Sequence, residues 1–176
     1  MGAHHTVFVG FIFSQLVIAW AQITDFEVSF SVEAEYFESQ IKYPVHPRSA
    51  ASMQETVWMH EGEKIHLCFC ALNDITIQSV NVVYSNDGDE DIVNFYTDAI
   101  EIGTFQTHSM SNRMVPSSNL LQNNVYDIES GPHNITIEVH KADRYGVEFD
   151  RVDVVIQNNT RAKVLHNVGC DTSFCP

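Results

Sequence analysis

The sequence predicts an all-β protein, and three observations support this fold class. Apolar and polar residues alternate along short runs, which is the period of half-buried strands, and residues 26–32 show it clearly. Turn residues separate these runs, and no segment stands out with a helical period. The 176 residues are enough for one domain with a sizeable core. We therefore expect a β-sandwich or barrel rather than alternating strand–helix units.

The composition is strongly acidic. Lys and Arg number 9 against 23 Asp and Glu, which gives a formal net charge of -14. This balance argues against nucleic-acid binding, because a nucleic acid requires a basic surface. It is compatible with solubility and with cation binding.

Residues 1–21 have the pattern of a secretory signal peptide. An apolar core runs through residues 7–18, and residues 19–21 fit the small-x-small cleavage pattern, which makes Gln22 the first residue of the mature chain. The region before the core is only weakly positive, so a signal anchor is the alternative. The segment is short for a membrane span, and no later stretch is long enough. We expect a secreted, extracellular protein without a membrane span.

The first predicted strand ends in two carboxylates. In the alternating run over residues 26–37, Phe30 and Val32 fall on one face, and Glu33 and Glu35 fall together on the other. Two carboxylates at positions i and i+2 can converge on one hard cation, because calcium takes several oxygen ligands. An aspartate opposite them would add a third ligand.

A second alternating run covers residues 147–156, after a turn. Alternation places Phe149 on one face and Glu148, Asp150 and Val152 on the other. Asp is depleted in strands, so Asp150 requires an explanation. It lies either on the solvated face of an edge strand or at a metal site with the early carboxylates.

These two ends resemble the signature ends of carbohydrate-binding modules of families six and thirty-five. The early end is Val32-Glu33-Ala34-Glu35, and the late end is residues 146–152. Between them, residues 80–88, 102–105 and 130–137 are similar to further pieces of the family pattern. The order and spacing of the pieces carry the resemblance, which covers roughly residues 26–157.

The resemblance implies a jelly-roll β-sandwich over residues 22–157, with a structural calcium ion for which Glu33, Glu35 and Asp150 would be the ligands. It also implies a secreted, non-catalytic module that binds a glycan through its loops. Family members with sugar sites commonly carry a Trp in the loop that corresponds to residues 106–124, and an Asn two residues before the late Asp. Here that loop has no Trp, and Glu148 stands at the Asn position.

Other rings must then supply a platform for a sugar face, since sugar sites combine an aromatic surface with a few polar groups. Tyr43, Trp58 and Tyr145 are the candidates, and Glu148 can accept hydrogen bonds from sugar hydroxyls. Packing is the other role of each ring, and Trp58, which precedes a turn, is expected in the core.

Catalysis is not predicted. The sequence has no Gly-x-Ser-x-Gly elbow and no zinc-protease His motif. The paired carboxylates of a glycosidase face a sugar across a cleft, whereas Glu33 and Glu35 are neighbours on one strand. Two alternatives to a glycan-binding module remain open. One is an acidic extracellular matrix protein, including one of a mineralised matrix, that has lost sugar binding. The other is a secreted effector that binds a protein partner.

Four cysteines agree with an oxidising compartment. Cys68 and Cys70 share one face of a predicted strand, and Cys170 and Cys175 lie in a tail, residues 158–176, that is expected to be irregular. Three disulfide pairings are possible. We favour two bonds from the strand to the tail, because positions i and i+2 of one strand lie near the far limit of disulfide reach. A zinc site is the rival interpretation, but the spacing lacks the usual tight knuckle.

The remaining pattern consists of short strands and turns. Strands are predicted at residues 56–60, 65–71, 75–84 with a bend near Ser79, 92–96, 99–105, 125–128 and 135–139. Residues 86–91 are acidic but lack the spaced ligands and closing Glu of an EF-hand, which favours a solvated hairpin turn. Asn134 and Asn158 begin N-glycosylation sequons. We expect Asn158, beyond the last strand, to be used more readily than Asn134 at a strand entry.

Overall fold

The computed structural model describes residues 26–37, 45–110, 113–122, 124–158 and 164–166. These residues form twelve strands and one short 3-10 helix, Ala34–Tyr36. The strands are β1 Phe26–Glu33, β2 Val45–Pro47, β3 Glu55–Met59, β4 Lys64–Ala71, β5 Ile75–Ser85, β6 Ile92–Thr97, β7 Ile100–Gln106, β8 Val115–Pro116, β9 Tyr126–Ile128, β10 Gly131–Lys141, β11 Val147–Asn158 and β12 Val164–His166. In this described part of the chain, no helix is both long enough and apolar enough to cross a membrane.

The strands pair into two antiparallel sheets. The seven-stranded sheet has the order β2-β3-β11-β5-β8, with β1 also paired to β11 and β9 also paired to β5. The five-stranded sheet has the order β12-β4-β10-β6-β7. This arrangement confirms the predicted all-β jelly-roll sandwich.

The core lies between the sheets, where alternate residues of the long strands bury apolar side chains. Each such side chain removes apolar surface from water, which is the main favourable term in folding. Fully buried side chains include Met59, Ile65, Ile77, Val80, Val82, Val93, Phe95, Ile135, Ile137, Phe149 and Ile156.

Strand β11 lies inside its sheet rather than at an edge, because it pairs with β1, β3 and β5. Its register against β5 shifts between Phe149 and Arg151, so that Asp150 is the extra residue of a β-bulge. The bulge restarts the alternation, and Val152 is buried in the core with Phe149. The prediction that Val152 shares a face with Asp150 is therefore wrong. So is the solvated edge strand, since Asp150 is only 1% exposed.

Residues 86–91 connect β5 in one sheet to β6 in the other, so they do not form a hairpin. Asn86 and Asp91, at the two ends of this connection, are fully buried, while Asp87 and Asp89 are exposed. The predicted solvated hairpin turn is wrong, because a crossing between the sheets carries its ends into the sandwich.

The segment after β11 contributes a strand to the sandwich, so the prediction of a wholly irregular tail is also wrong. Strand β12 pairs with β4 and places Leu165 opposite Cys70. Cys68 and Cys70 each take part in a disulfide bond, and the described residues include no free cysteine. Cys170 and Cys175 lie outside the described residues, as do the predicted signal peptide and Tyr43. The pairing from the strand to the tail therefore stays a prediction.

Candidate functional site

Two of the three predicted cation ligands meet at one serine. Glu33 ends β1, Asp150 lies in the β11 bulge, and Ser52 lies in the loop before β3. The Ser52 hydroxyl is 2.5 Å from Glu33 Oε2 and 2.7 Å from Asp150 Oδ1. The Ser52 backbone N–H also donates to Asp150 Oδ1 at 2.8 Å. Residues from three distant parts of the sequence thus bring two carboxylates together.

The two carboxylates that contact Ser52 have little positive charge around them. A serine hydroxyl carries one proton, so it can donate fully to only one of the two carboxylates. The second close contact between oxygens requires a proton on a carboxyl group or a nearby cation. Arg151 supplies part of the charge, because its Nη1 donates to Asp150 Oδ2 at 2.7 Å. Its Nε, however, bonds to Asp153 at 3.0 Å.

Glu35 joins the same acidic group from the 3-10 helix, and not from β1 as the alternating pattern predicts. Its Oε2 is buried and has no hydrogen-bond partner among the described residues. Burial raises the pKa of Glu35, and the charges of Glu33, Glu55 and Asp150 raise it further, against an opposing backbone hydrogen bond. The three predicted ligands are therefore close enough to influence one another.

These residues carry the type of donor atom that a hard cation takes. Their side chains offer only oxygen atoms, the ligand type that calcium prefers, and one of those oxygens is buried without a partner. Within the described ranges, no three His, Cys, Asp or Glu side chains form a ready metal cage. Hydroxyl, carbonyl and water oxygens would have to complete the coordination shell, as they commonly do for calcium.

Glu148, at the Asn position of the family pattern, is held by Arg48. Arg48 Nε lies 2.6 Å from Glu148 Oε2, and Nη2 lies 2.8 Å from Oε1, a bidentate pair. Nη2 also reaches Asp87 Oδ2 at 3.2 Å. Burial acts to lower the pKa of Arg48, but the hydrogen bonds and charges of Glu148 and Asp87 outweigh it and raise the pKa. The pair fixes a charged group on the outer face of the seven-stranded sheet.

Trp58 lies on the same outer face, because its neighbours in β3, Val57 and Met59, point into the core. The ring is partly exposed, so its predicted place in the core is wrong. The imidazole centroids of His46 and His60 lie 5.2 Å and 4.9 Å from the Trp58 ring centroid. These three rings form what we call the Trp58 platform.

The turn before β11 contacts the Trp58 platform. Trp58 Nε1 donates to the carbonyl oxygen of Tyr145 at 2.5 Å, and the Tyr145 ring is 46% exposed beneath the Arg144 guanidinium. Gly146 has φ +67°, and a Cβ there would lie 2.3 Å from the Met59 carbonyl oxygen. Only glycine allows this close approach without strain.

Sequence reasoning identified Trp58, Tyr145 and Glu148 but missed Arg48, His46 and His60. The spacing Trp58-x-His60 places both rings on one face of a strand and was an available signal. No local pattern connects Arg48 to Glu148, since 100 positions separate them.

The two sequons differ in their surroundings. Thr136, whose hydroxyl completes the Asn134 sequon, is only 7% exposed and contacts His66 Nδ1 at 2.7 Å. Asn158 is the last residue of β11, where its backbone pairs with Phe26, so its predicted place beyond the last strand is wrong. The use of either sequon stays a prediction.

No protein-family model and no curated protein matches the sequence. Solved structures do match. The C-terminal family 6 carbohydrate-binding module of a marine laminarinase from Zobellia galactanivorans aligns with a TM-score of 0.53 and 10% identity, over 72% of this chain and 98% of the module. The chain has the fold of a carbohydrate-binding module.

Two enzymes contain a similar region. The exo-β-1,3-galactanase from Phanerochaete chrysosporium aligns with a TM-score of 0.55 and 16% identity over 72% of this chain. A β-(1,4)-mannanase from Podospora anserina with a family 35 carbohydrate-binding module aligns with a TM-score of 0.54 and 9% identity over 76% of this chain. This chain spans only 29% and 28% of those proteins. At these identities the matches establish the fold alone and confirm the fold expected from the resemblance.

Proposed function

We propose that this chain is a secreted, non-catalytic glycan-binding module that holds a structural calcium ion. One observation carries the proposal. On a sandwich with a carbohydrate-binding-module fold, a partly exposed Trp58 ring lies between two imidazoles, on the same sheet face as a bidentate Arg48–Glu148 pair. An aromatic surface with a few fixed polar groups is the arrangement that sugar recognition requires.

Each part of this surface would have its own role in binding. The apolar face of a sugar ring would stack on Trp58 or on the exposed ring of Tyr145. Glu148 Oε1 accepts one bond from Arg48 and keeps a second lone pair for a sugar hydroxyl. Because Arg48 already holds Glu148 in place, little side-chain entropy would be lost when a glycan binds.

Calcium would be held by Glu33, Glu35 and Asp150, with the Ser52 hydroxyl beside them. The partnerless Oε2 of Glu35 and the single Ser52 proton between two carboxylates support this part of the proposal. The ion would supply positive charge at the end of β1. Ser52 belongs to the loop that begins at Arg48, whose carbonyl accepts from Ala51 N–H and whose N–H donates to the Gln54 carbonyl. Calcium would therefore also stabilise the loop that carries Arg48.

A glycan array with the mature chain, in calcium and again in chelator, tests the proposal. We expect binding to one glycan class that is lost in Trp58→Ala and weakened in chelator. Tyr96→Ala is the matched control, since it removes an aromatic ring from the other sheet. Absence of binding by protein shown to be folded, or binding that Trp58→Ala leaves intact, would contradict the proposal.

The second candidate is an acidic extracellular matrix protein that keeps the sandwich but no longer binds sugar. The Arg48–Glu148 pair favours it, because both Glu148 oxygens already accept hydrogen bonds within the chain. The net charge of -14 suits mineral or cation-rich surroundings. Silence on the array together with adsorption to calcium carbonate or calcium phosphate would favour this candidate.

A further inference from the structure

A second acidic group lies where the chain crosses between the sheets. Asp91 is fully buried at the end of the 86–91 connection. Its Oδ1 accepts a hydrogen bond from the Asp143 backbone N–H at 2.8 Å. Its Oδ2 is also buried and has no hydrogen-bond partner among the described residues. Such an atom is unusual in a native structure, and a bound cation or water would give it a partner.

Asp143 brings a second carboxylate to the same place. Its Oδ2 accepts from Asp89 N–H at 2.8 Å, and its Oδ1 accepts from Tyr145 N–H at 2.7 Å. Burial acts to raise the pKa of Asp143, but these backbone hydrogen bonds outweigh it and lower the pKa, so the group is ionised at neutral pH. A Cβ on Gly88 would lie 2.1 Å from Asp143 Oδ2, so the carboxylate packs directly on the glycine backbone.

Arg144 balances part of the Asp143 charge, whereas the described groups that act on the Asp91 carboxyl include no cation. Burial raises the pKa of Asp91, and the charges of Asp143 and Asp89 raise it further, against hydrogen bonds from Asp143 N–H and Thr107. A hard cation would neutralise the pair and would also give Oδ2 a partner.

We propose that Asp91 and Asp143, with oxygen atoms of the 86–91 connection, form a second cation site that takes a hard divalent ion such as calcium. Because the described part of the chain holds no cage of three acidic, His or Cys side chains, carbonyl and water oxygens complete this shell. With fewer charged ligands than the group of Glu33, Glu35 and Asp150, the site binds more weakly.

The second site connects to the Trp58 platform through the backbone. Asp143 Oδ1 accepts from the Tyr145 N–H, and the Tyr145 carbonyl accepts from Trp58 Nε1. A cation at Asp143 therefore holds the turn that positions the rings of Tyr145 and Trp58. The existence of the site does not depend on glycan binding, so the two proposals can fail separately.

Calorimetric titration of Ca²⁺ into the metal-free mature chain tests the site. We expect two classes of binding site in the unsubstituted protein. Asp91→Asn, which keeps the size and the Oδ1 acceptor, should lose only the weaker class, and Asp150→Asn should lose only the tighter class. Asp127→Asn is the control, because Asp127 is an exposed carboxylate on β9, where it contacts Thr76.

Two results would overturn the site. One is a single class of sites that Asp150→Asn abolishes, which would leave a buried water or proton at Asp91. The other is Asp91→Asn protein with unchanged calcium binding. If Asp91→Asn does not fold, Asp89→Asn replaces it, because Asp89 is exposed and contributes charge to the pair. Asp89→Asn should weaken the weaker class about threefold or more, and unchanged affinity would overturn the site.

Discussion

Glu148 and Asp150 are two acidic residues of the same strand, and their side chains have different hydrogen-bond partners. Glu148 receives both arms of the Arg48 guanidinium, so its charge is balanced within the protein. Asp150 accepts from a serine hydroxyl, a backbone N–H and one nitrogen of Arg151, whose other bond goes to Asp153, and it lies beside Glu33 and Glu35. A buried carboxylate is stable only with a partner. The comparison indicates that the Glu148 charge is balanced within the chain, whereas the calcium ion that we propose would balance the Asp150 group.

The largest expected effect is on the Asp150 side. Calcium at a hundred times its dissociation constant should stabilise the unsubstituted protein by about 2.7 kcal/mol, because the ion binds only the folded chain. Asp150→Asn should lose most of that gain, and its melting temperature should respond little to chelator. Urea unfolding in calcium and in chelator measures both. Asp127→Asn should behave as the unsubstituted protein, and a full calcium response in Asp150→Asn would contradict the comparison.

A slightly smaller effect is expected on the Glu148 side, and it should persist in chelator. Arg48→Met leaves Glu148, whose side chain is 22% exposed, without its partner, and should cost about 2 kcal/mol of unfolding free energy. Adding Glu148→Gln should recover part of the loss, since the uncompensated charge is then gone. A double-mutant cycle in chelator measures the coupling. If Arg48→Met were as stable as the unsubstituted protein, the pair would not be the internal neutralisation described here.

The smallest expected effect is a loss of stability at low pH that His66, on the other sheet, should cause. It tests whether acid destabilises the protein through a residue other than Glu148 and Asp150. Burial lowers the pKa of His66 below its ordinary value, and Lys64 adds to this effect. Because the unfolded chain takes up the proton more readily, stability should fall as pH drops from about 6.5 toward the lowered pKa, by less than about 1 kcal/mol. Unfolding free energies at pH 7 and pH 5.5, compared with those of His66→Gln, measure this loss.

This pH response should be the same with and without calcium. A His66→Gln variant that keeps the whole loss of stability between pH 7 and pH 5.5 would show that other groups cause it. In that case, Glu35 would be the first residue to test, because burial raises its pKa.

Much of the architecture follows from local sequence pattern. Alternating apolar residues place nine of the twelve described strands within a few residues of their observed bounds, since side chains of an extended chain point to opposite faces regardless of what lies beyond them. The short strands β2, β8 and β12 were not predicted. Alternation marked the pair Glu33 and Glu35 and, separately, Asp150, and the family resemblance then joined the three as one ligand set. The sequence also marked Trp58, Tyr145 and Glu148 as residues of interest. The resemblance of the two ends of the domain supplied the jelly-roll sandwich, which the fold confirms.

Only the tertiary structure determined which acidic side chains have a cationic partner within the chain. The bulge at Asp150 shifts the face of every later residue in β11, and the register of β11 against β5 shows where it lies. Arg48 finds Glu148 because β2, β3 and β11 lie side by side, and Asp91 is buried because its segment crosses between the sheets. Composition and period are properties of neighbouring residues and can be read from the sequence. The partner of a buried charge is set by contacts between distant segments, which exist only once both sheets have formed.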